Sequence, residues 1–593
     1  MFARVESGFN HFQSVIHDPR ARVAAVSAVD DEINAVMQLL HSLRNDMAPI
    51  SLLPPEVLSR IFHFLSLKDQ PLGYFRTQNL GWIIVTHVCR LWRQVAIGDS
   101  SLWARILGVP TNRELISEML ARARTAPLDI IIDLDGVPDP KVLLDFFPHL
   151  SHTRELCLSG LDSRHLDSVQ GICSQEVPAL KHFKVEASLI YPCNYPTLTF
   201  RELDGTTLFK GRAPRLRTVS LFYLFIPLSL IPRGQLTQLE VHLNYEVLAP
   251  DVQLRGDFNQ LIDLLVNCPQ LEVLVLESCL YPLPTHFPYG RTIHLPLLSR
   301  LRLGGSTFRV TNLLKMLKLP SSTTLQLYCR SENESTDNHN LLLPIVSAHL
   351  HSAVPIMFKR LSVSISGMGR WLQVIASASL PESRICHSQD FEIDMEDNFV
   401  LSFDGPAMKS FVERICKILP ISSLEFLSIL AIDEYGTSVN WVELVKHCVE
   451  VTTMQAIGRG TSNLVHALAA PKPPKPANTT RGSNEKKLRH ESMGSTQDGS
   501  TATNAHTPIF PKLSFLSLKK LDFGESKPPG ILFDVLQNVF RQRRVVYGTP
   551  LKMLCIDDCV ISTKQAKALE KHVEKLLWDG EKGIRFQDMP ALQ

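Results

Sequence analysis

The sequence predicts an α/β protein with a small all-helical module near its start and a long β/α array after it. Three amphipathic helical segments lie between Leu53 and Ile106, and from Thr153 onwards a short apolar pattern recurs about every 30 residues. The composition, 45% hydrophobic and 20% charged, is typical of a folded soluble protein. At 593 residues the chain is too long for one compact core unless it is built as an array.

Charge and cysteine content exclude several classes of function and location. The net charge of +2 is too close to zero to favour a nucleic-acid or membrane-surface partner. No apolar run approaches the roughly 20 residues of a membrane span, and the first residues form no signal peptide. The 12 cysteines are scattered and suggest no disulfide framework, so we expect a reducing location, cytoplasmic and/or nuclear.

The first predicted element, within residues 1–47, is an amphipathic helix from Val23 to Met47. Its apolar residues recur at intervals of three and four positions, and its charged residues lie on the other faces of the helix. The pattern leaves open whether this helix pairs with a second copy or packs on the helices after Leu53. Because it lasts only about three heptads, we favour packing within the chain. The apolar set is Val26, Val29, Ile33, Val36, Met37, Leu40 and Leu43.

Residues 48–107 form the predicted helical module. Pro54 and Pro55 stand where a helix can begin, and Glu56 falls in the favourable first turn. Asp99 or Ser100 caps the third helix. So small a unit buries only about 60% of the surface that it exposes unfolded, so its surplus apolar surface implies a partner or a capping role on the array. The helices are expected to carry Val57, Leu58, Ile61, Phe62 and Leu65, then Val85, Val88, Cys89, Trp92 and Val95, then Leu102, Trp103 and Ile106.

Three segments of this module, taken in order, resemble the F-box family. They read Leu53-Pro54-Pro55-Glu56-Val57-Leu58, then Val88-Cys89-Arg90-x-Trp92-Arg93, then Ser101-Leu102-Trp103. The resemblance covers about a tenth of the chain, and the loop at residues 66–81 is longer than usual in the family. It implies a Skp-type adaptor as partner and, through the adaptor, a cullin. Ile61 and Trp92 are expected to hold the helices together instead. The implied adaptor-binding residues are Leu53, Pro54, Val57, Leu58, Ile61, Phe62, Leu65, Val88, Cys89 and Trp92.

Residues 108–470 carry the recurring pattern, an apolar residue at the first, fourth and sixth positions. Examples are Leu216/Val219/Leu221 and Leu298/Leu301/Leu303, and three copies extend to Asn244, Cys279 and Cys559, whose side chains can bond turn backbone. This is the leucine-rich-repeat signature, slightly longer than the usual period of about 20–29 residues. The sequence therefore predicts an irregular β/α solenoid with its strands along the inner curve. Predicted helices between strands are 112–124, 258–267, 408–419, 441–449, 531–543 and 563–578.

Residues 471–507 interrupt the array. They are rich in proline and lysine, then in glycine, serine, threonine and asparagine, with almost no apolar residue to bury. We predict that this linker is disordered and dispensable for folding. The repeats are expected to resume in residues 508–593 and to end in a terminal helix.

Polar residues between the leucines predict a substrate-binding strip. Strand side chains alternate between faces, so residues between the core positions face the inner curve. Several come from successive strands and include arginines, which suit carboxylate and phosphate groups. We expect a protein partner with an acidic or phosphorylated segment. The predicted strip is Arg217, Ser220, Gln238, Glu240, His242, Glu272, Arg300 and Arg302.

No motif in the sequence predicts catalysis, a cofactor or a metal. A nucleophile elbow and a phosphate loop are absent, and Cys555, Cys559 and His572 lack the second histidine of a zinc finger. The resemblance to the F-box family implies a non-catalytic substrate-recognition subunit of a Skp–cullin–F-box ubiquitin ligase. Two alternatives stay open: a non-ligase F-box scaffold, and a leucine-rich inhibitor or receptor with no role in ubiquitination.

Overall fold

The structure is a computed structural model that divides into two compact units, Met1–Gly256 (unit 1) and Asp257–Gln593 (unit 2). The two units are described separately. The structure describes residues 6–7, 9–10, 13–14, 19–71, 80–108, 113–135, 137, 140–188, 198–199, 208–243, 257–283, 290–331, 339–352, 356–366, 370–380, 397–404, 408–432, 439–441, 448–468, 509–524, 526–527 and 530–580.

Unit 1 begins with helices and continues as a parallel sheet with helical crossovers. Its α-helices are α1 (Pro19–Asp46), α2 (Pro55–Lys68), α3 (Arg90–Gly98), α4 (Ser100–Trp103), α5 (Arg113–Ala123) and α6 (Leu166–Cys173). Its 3-10 helices are Pro49–Leu52, Gly81–His87, Pro140–His152, Ser163–His165, Leu208–Gly211 and Leu228–Leu230. Its strands are β1 (Arg105–Gly108), β2 (Leu128–Asp133), β3 (Thr153–Leu161), β4 (His182–Ala187), β5 (Leu198–Thr199), β6 (Thr218–Phe222), β7 (Leu224–Phe225) and β8 (Gln238–His242).

The helical part of unit 1 follows the predicted start signals but not all predicted helix bounds. Helix α2 has Pro54 as its N-cap and Glu56 in its first turn, as predicted. The second predicted helix is instead a 3-10 helix and the separate helix α3, because the backbone at Cys89 is extended. The third ends at Trp103, so Ile106 lies in strand β1 and not on a helix.

Aromatic side chains form the core of this helical part. The rings of Trp82 and Trp103 meet edge to face with centroids 4.8 Å apart, and both are buried. The Trp103 Nε1–H donates to the carbonyl of Ala96 at 2.7 Å, which satisfies its buried polar atom. Phe62 of α2 packs on Trp92 of α3 with centroids 5.2 Å apart. These contacts join α2, α3 and α4 into one small core.

The long helix α1 departs from the prediction that it packs within the chain. None of its described side chains is buried, and most are exposed. The sequence pattern identified the helix itself correctly. The pattern could not identify what packs on the apolar face of α1. The period of apolar residues shows which side of a helix is apolar but not which segment covers that side.

The sheet of unit 1 is parallel throughout, in the order β1-β2-β3-β4-β6-β8. Its register aligns the buried positions of neighbouring strands. Leu156 of β3 pairs with Phe183 of β4, which pairs with Val219 of β6, which pairs with Leu239 of β8. All four are buried, as the recurring pattern predicts.

Unit 2 contains seven α-helices and fifteen strands in the part that the structure describes. The helices are α7 (Phe258–Val266), α8 (Thr307–Met316), α9 (His339–Leu350), α10 (Met408–Ile418), α11 (Ser462–Ala467), α12 (Leu532–Val545) and α13 (Thr563–Glu570), with a 3-10 helix at Arg459–Thr461. The strands are β9 (Val273–Glu277), β10 (Ile293–His294), β11 (Arg300–Ser306), β12 (Leu317–Lys318), β13 (Thr324–Arg330), β14 (Arg360–Ser366), β15 (Trp371–Ser377), β16 (Phe399–Asp404), β17 (Phe426–Ala431), β18 (Thr453–Ile457), β19 (Phe515–Lys519), β20 (Ser526–Lys527), β21 (Gly530–Ile531), β22 (Met553–Asp557) and β23 (Lys575–Trp578).

The main sheet of unit 2 departs from a simple succession of repeats. Its order is β9-β11-β13-β16-β15-β14-β17-β18-β19-β22-β23. Strand β15 is antiparallel to both β14 and β16, and all other pairs are parallel. The repeat pattern misses β15 because its residues from Leu372 to Ser377 are all buried, with no leucine triplet to mark it. The chain is therefore a helical N-terminal region followed by a mixed α/β region with a long parallel sheet.

Several predicted elements in unit 2 are confirmed and one is wrong. The predicted helices at 258–267, 408–419 and 531–543 correspond to α7, α10 and α12. The predicted terminal helix ends early, at Glu570, and Lys575–Trp578 forms strand β23, because these residues complete the sheet beside β22. Most of the predicted helix at 441–449 and the linker at 471–507 lie outside the described residues. The predicted domain boundaries stay predictions.

Cys559, at the end of a repeat, forms hydrogen bonds with the backbone of a turn, as the pattern predicts. The Leu521 N–H donates to the Cys559 Sγ at 3.4 Å. The thiol in turn lies 3.3 Å from the carbonyl of Asp557. Burial raises the pKa of Cys559 to about 12, so this thiol is neutral and acts as a structural hydrogen-bonding group.

A buried arginine anchors the chain where it enters β19. The guanidinium of Arg543 on α12 donates to the carbonyls of Phe510 and Leu513, each at 3.1 Å, and of Ile509 at 3.3 Å. Burial lowers its pKa to about 10. These carbonyl groups belong to the turn before β19, so one side chain joins helix and turn.

Gly458, directly after β18, lies close to the backbone of Ala431 and Ile432, so a side chain at this position should be destabilising. Its φ is +90°, and an added Cβ would lie 2.7 Å from the Ala431 carbonyl carbon and 2.8 Å from the Ile432 Cα. Gly458→Ala should lower the free energy of unfolding by at least about 2 kcal/mol in a denaturant titration. Gly548→Ala is the matched control, because Gly548 also has positive φ (+64°) but open space around it. Equal losses in both variants would contradict the steric explanation.

Candidate protein-interaction surfaces

Helix α2 has a buried face and an exposed apolar face. Leu58 and Phe62 point into the core, whereas Val57, Ile61 and Phe64 are 42%, 42% and 63% exposed. The spacing of these three, at i, i+4 and i+7, places them on one side of the helix. We name Val57, Ile61 and Phe64 the exposed α2 face.

The structure divides the ten predicted adaptor-binding residues into three groups. Leu58 and Phe62 are buried in the core and not exposed on the surface, and their role as adaptor contacts stays a prediction. The reason is rotational: at 100° per residue they lie on the side of α2 that meets α3. Ile61, expected to be structural, is exposed, whereas Trp92 packs on Phe62 as expected. The exposed members are Pro54, Val57, Ile61 and Val88, and the half-buried ones are Leu53, Leu65, Cys89 and Trp92.

Within α2 and the 3-10 helix Gly81–His87, three exposed apolar residues were missing from the prediction. They are Phe64, Leu67 and Ile84, all more than half exposed. Phe64 could have been found from its spacing to Val57. Ile84 could not, because it lies in a 3-10 helix that the sequence pattern treated as α-helical.

A polar network fixes α2 against the start of α4. The Asp99 carboxylate caps α4 by accepting from the Ser101 N–H at 3.0 Å, and it also accepts from the Ser59 hydroxyl. The His63 Nε2 lies 3.2 Å from Asp99 and 3.1 Å from the Ser101 Oγ. Burial raises the pKa of Asp99, but hydrogen bonds from Ser101 and Ser59 and the His63 ring together bring it below its usual range.

This network contains serine, histidine and aspartate but lacks the geometry of a catalytic relay. Asp99 and Ser101 both meet the same ring nitrogen of His63, Nε2. A relay requires the acid at one ring nitrogen and the nucleophile at the other. The network is therefore a structural connection between two helices.

Comparison with protein families identifies this helical region. The F-box-like family model matches residues 50–107, from the 3-10 helix before α2 to strand β1. Residues 50–107 are an F-box-like domain. The domain indicates that the chain is a protein-interaction adaptor, a class that is generally non-catalytic. No curated protein matches the chain.

In unit 1, the F-box-like domain is followed by a group of polar residues on β6 and β8. The hydroxyl of Ser220 and the amide of Gln238 both donate to the Glu240 carboxylate, at 3.2 and 2.9 Å. His242 stacks on Phe222 with ring centroids 4.6 Å apart. Four predicted strip residues thus lie on the neighbouring strands β6 and β8 of unit 1, with Ser220 buried, and a fifth, Arg217, is exposed just before β6.

Two residues next to this group were missing from the prediction. Phe222 is the stacking partner of His242, and the Lys184 ammonium lies 4.9 Å from the Phe222 ring centroid. Sequence alone signals neither, because both contacts depend on the register between strands β4, β6 and β8. The register pairs Phe222 with His242 directly.

In unit 2, the predicted strip residues are Glu272, Arg300 and Arg302. Arg302 forms an ion pair with Glu277, and its guanidinium carbon lies 4.7 Å from the ring centroid of Tyr328. Burial raises the pKa of Tyr328 to about 12. Arg302 is therefore held by two neighbours from β9 and β13 that sequence reasoning missed, whereas Glu272 is exposed. One continuous strip through all eight residues stays a prediction.

Metal and membrane sites were searched within the described part of the chain. That part holds no group of three or more His, Cys, Asp or Glu side chains arranged to bind a metal ion. Cys555 belongs to a buried cluster with Phe515 and Leu577. None of the described helices has both the length and the apolar character needed to cross a membrane.

The cap at Asp99 predicts how the F-box-like domain responds to substitution. Asp99→Ala should lower the free energy of unfolding by about 0.5–2 kcal/mol at pH 7, because it removes the α4 cap and leaves Ser59 without its acceptor. Asp99→Asn should retain most of this stability, because an amide oxygen still accepts from Ser101. Hydrogen exchange of the α2 amides measures the change locally.

The Asp99 contribution should also depend on pH. A lowered carboxylate pKa means that the stabilisation is complete above the ordinary value of 3.8 and is lost as pH falls through the lower folded value. The difference in stability between wild type and Asp99→Asn should therefore shrink as the pH is lowered below 3.8. A difference that stayed constant as the pH fell below 3.8 would contradict the assigned pKa direction.

Proposed function

We propose that this chain is the substrate-recognition subunit of a Skp–cullin–F-box ubiquitin ligase. In this proposal the F-box-like domain docks on a Skp-type adaptor, and the region after it holds a protein substrate as an irregular leucine-rich solenoid. The observation that carries the proposal is the exposed α2 face within a domain of this family. A cytoplasmic and/or nuclear location forms part of the proposal, and the described cysteines, none of which is in a disulfide, support it.

The exposed α2 face suits the helix-in-groove mode of protein recognition. Its three side chains have the i, i+4, i+7 spacing of anchors that enter a hydrophobic groove. Fully burying one such side chain contributes about 1.5–3 kcal/mol. Val88 and Pro54, which are also exposed, are assigned to the same interface on the basis of the family resemblance, together with the half-buried Leu53, Leu65, Cys89 and Trp92.

The function of such a subunit is positional and not chemical. Holding a substrate near a charged ubiquitin-conjugating enzyme raises the effective concentration of its lysines, which reaches roughly millimolar for a short connection. The chain then requires only two surfaces, one for the adaptor and one for the substrate. This agrees with the class of non-catalytic adaptors to which F-box proteins belong.

We assign the substrate surface to polar residues between the buried positions of the strands. In unit 2, Arg300 and Arg302 are half-buried, and Arg302 is oriented by Glu277 and Tyr328. An oriented guanidinium can bind a carboxylate or phosphate through two hydrogen bonds. The proposed substrate is a protein with an acidic or phosphorylated segment.

Substitution of the exposed α2 face tests adaptor binding. Ile61→Asp should reduce co-purification of a Skp-type adaptor at least tenfold, because it places a charge in an apolar interface. Ile432→Asp is the matched control: the same change at an isoleucine that is 56% exposed in unit 2. Undiminished adaptor recovery with Ile61→Asp would refute the interface.

Mass spectrometry of the purified full-length chain separates the ligase from its alternatives. Adaptor together with cullin supports the ligase, whereas adaptor without cullin supports a non-ligase scaffold. Recovery of neither, with a folded chain, supports a leucine-rich inhibitor or receptor without a ubiquitin role. The Ile61→Asp variant should lose adaptor and cullin together if the cullin binds only through the adaptor.

Charge reversal tests the substrate surface in unit 2. The double variant Arg300→Glu/Arg302→Glu should lose proteins that co-purify with wild type but should keep the adaptor, since the F-box-like domain is unchanged. Lys315→Glu/Lys318→Glu serves as a control of equal charge change in the same unit. Retention of all captured proteins would place the substrate site elsewhere.

A further inference from the structure

Helix α1 exposes a line of apolar side chains along most of its length. Ile33, Leu40 and Leu43 are 44%, 51% and 52% exposed, although a 28-residue helix in a folded chain normally buries an apolar face. None of the described α1 side chains is buried. The other exposed members are Val23, Val26, Met37, Leu39 and, just beyond the helix, Met47.

The apolar residues of this helix, including the half-buried Val29 and Val36, have the spacing of a coiled-coil seam. From residue 26 to residue 47 the intervals alternate strictly between three and four, which gives the heptad period of 3.5 residues. The a positions are Val26, Ile33, Leu40 and Met47, and the d positions are Val29, Val36 and Leu43. No charged residue stands at an a or d position in this stretch. We name these seven residues the α1 seam.

We propose that the α1 seam pairs with the same seam of a second copy, so that the chain forms a parallel two-stranded coiled coil. A seam of this kind is complementary to itself, because each a or d side chain inserts between four residues of an identical helix. Helix α1 spans about 42 Å at 1.5 Å per residue, and its three heptads lie at the lower limit of the length at which such pairs form.

The flanking charges are compatible with parallel pairing. In a parallel pair each g residue faces the e residue five positions later on the other helix. Glu32 of one helix therefore faces Met37 of the second copy, and Leu39 faces Arg44 of the second copy. No pair of like charges is created, and the apolar Met37 and Leu39 extend the covered surface. All seven a and d positions hold aliphatic side chains or methionine, so the seam can be packed against an identical helix along its length.

Pairing through α1 would join two F-box-like domains in one particle. The helix ends at Asp46, and the domain begins at residue 50, so only a few residues separate them. Two copies would then present two adaptor-binding surfaces and two substrate surfaces. A substrate with two recognition segments would bind such a particle with increased avidity. The pairing itself does not depend on the proposed ligase function.

Sedimentation velocity of the full-length chain at micromolar concentration tests the pairing. The wild-type protein should sediment as a dimer, with twice the mass of one chain. The Leu40→Asp variant should sediment as a monomer, because the substitution places a charge in the α1 seam. Gln38→Asp is the matched control, since Gln38 is an exposed f position on the same helix, and it should stay a dimer. A monomeric wild type, or a dimeric Leu40→Asp variant, would overturn the proposal.

A cysteine substitution tests the parallel orientation. In a parallel pair residue 36 lies opposite residue 36 of the second copy, so oxidised Val36→Cys should form a disulfide-linked dimer. Wild type under the same oxidation controls for the native cysteines. A dimer that Val36→Cys fails to link would overturn the parallel arrangement. Retained adaptor binding by Leu40→Asp would show that loss of pairing is independent of the F-box-like domain.

Discussion

The parallel register of the strands is the constraint on which both units depend. In unit 2 it sets Leu274 beside Leu301, and Leu301 beside Leu325, so that all three are buried in one row. A slip by one residue would turn each row outwards, because strand side chains alternate between faces. Parallel strands also need long crossovers, and this explains why the apolar pattern recurs only about every 30 residues.

On strands such as β8 and β11 the same alternation leaves side chains between the buried positions partly exposed. Other strands, such as β14 and β17, bury these positions as well. Once the register is set, neighbouring residues hold the partly exposed polar side chains together, as with Gln238 and Glu240 in unit 1. Sheet stability and the proposed substrate surface thus use alternate positions of the same strands.

The F-box-like domain separates stability from binding by helix rotation. Leu58 and Phe62 form its core with Trp92, and the Asp99 network joins α2 to α4. Val57 and Ile61 are excluded from that core by their angle on the helix. They are therefore available to a partner at little cost to the fold. A domain of about fifty residues cannot bury all its apolar surface, and its excess includes the exposed α2 face on which the proposed adaptor interface rests.

Local signals in the sequence determined most helices and the repeated strands. Periodicity located α1 and α2, proline and Glu56 marked the start of α2, and the leucine triplets marked strands such as β6 and β11. These signals act between residues a few positions apart, so no distant contact is needed to recognise them. They also identified Val57, Ile61 and Val88 as candidate adaptor contacts and Arg302 as a candidate substrate contact.

Only the tertiary structure decided which apolar residues face inwards and which strands pair. It placed Leu58 in the core and Ile61 outside, inserted β15 antiparallel between β14 and β16, and turned Lys575–Trp578 into a strand beside β22. It also left the apolar side of α1 exposed. A period reveals that a segment has an apolar face, but the partner of that face is set by packing between segments far apart in the chain.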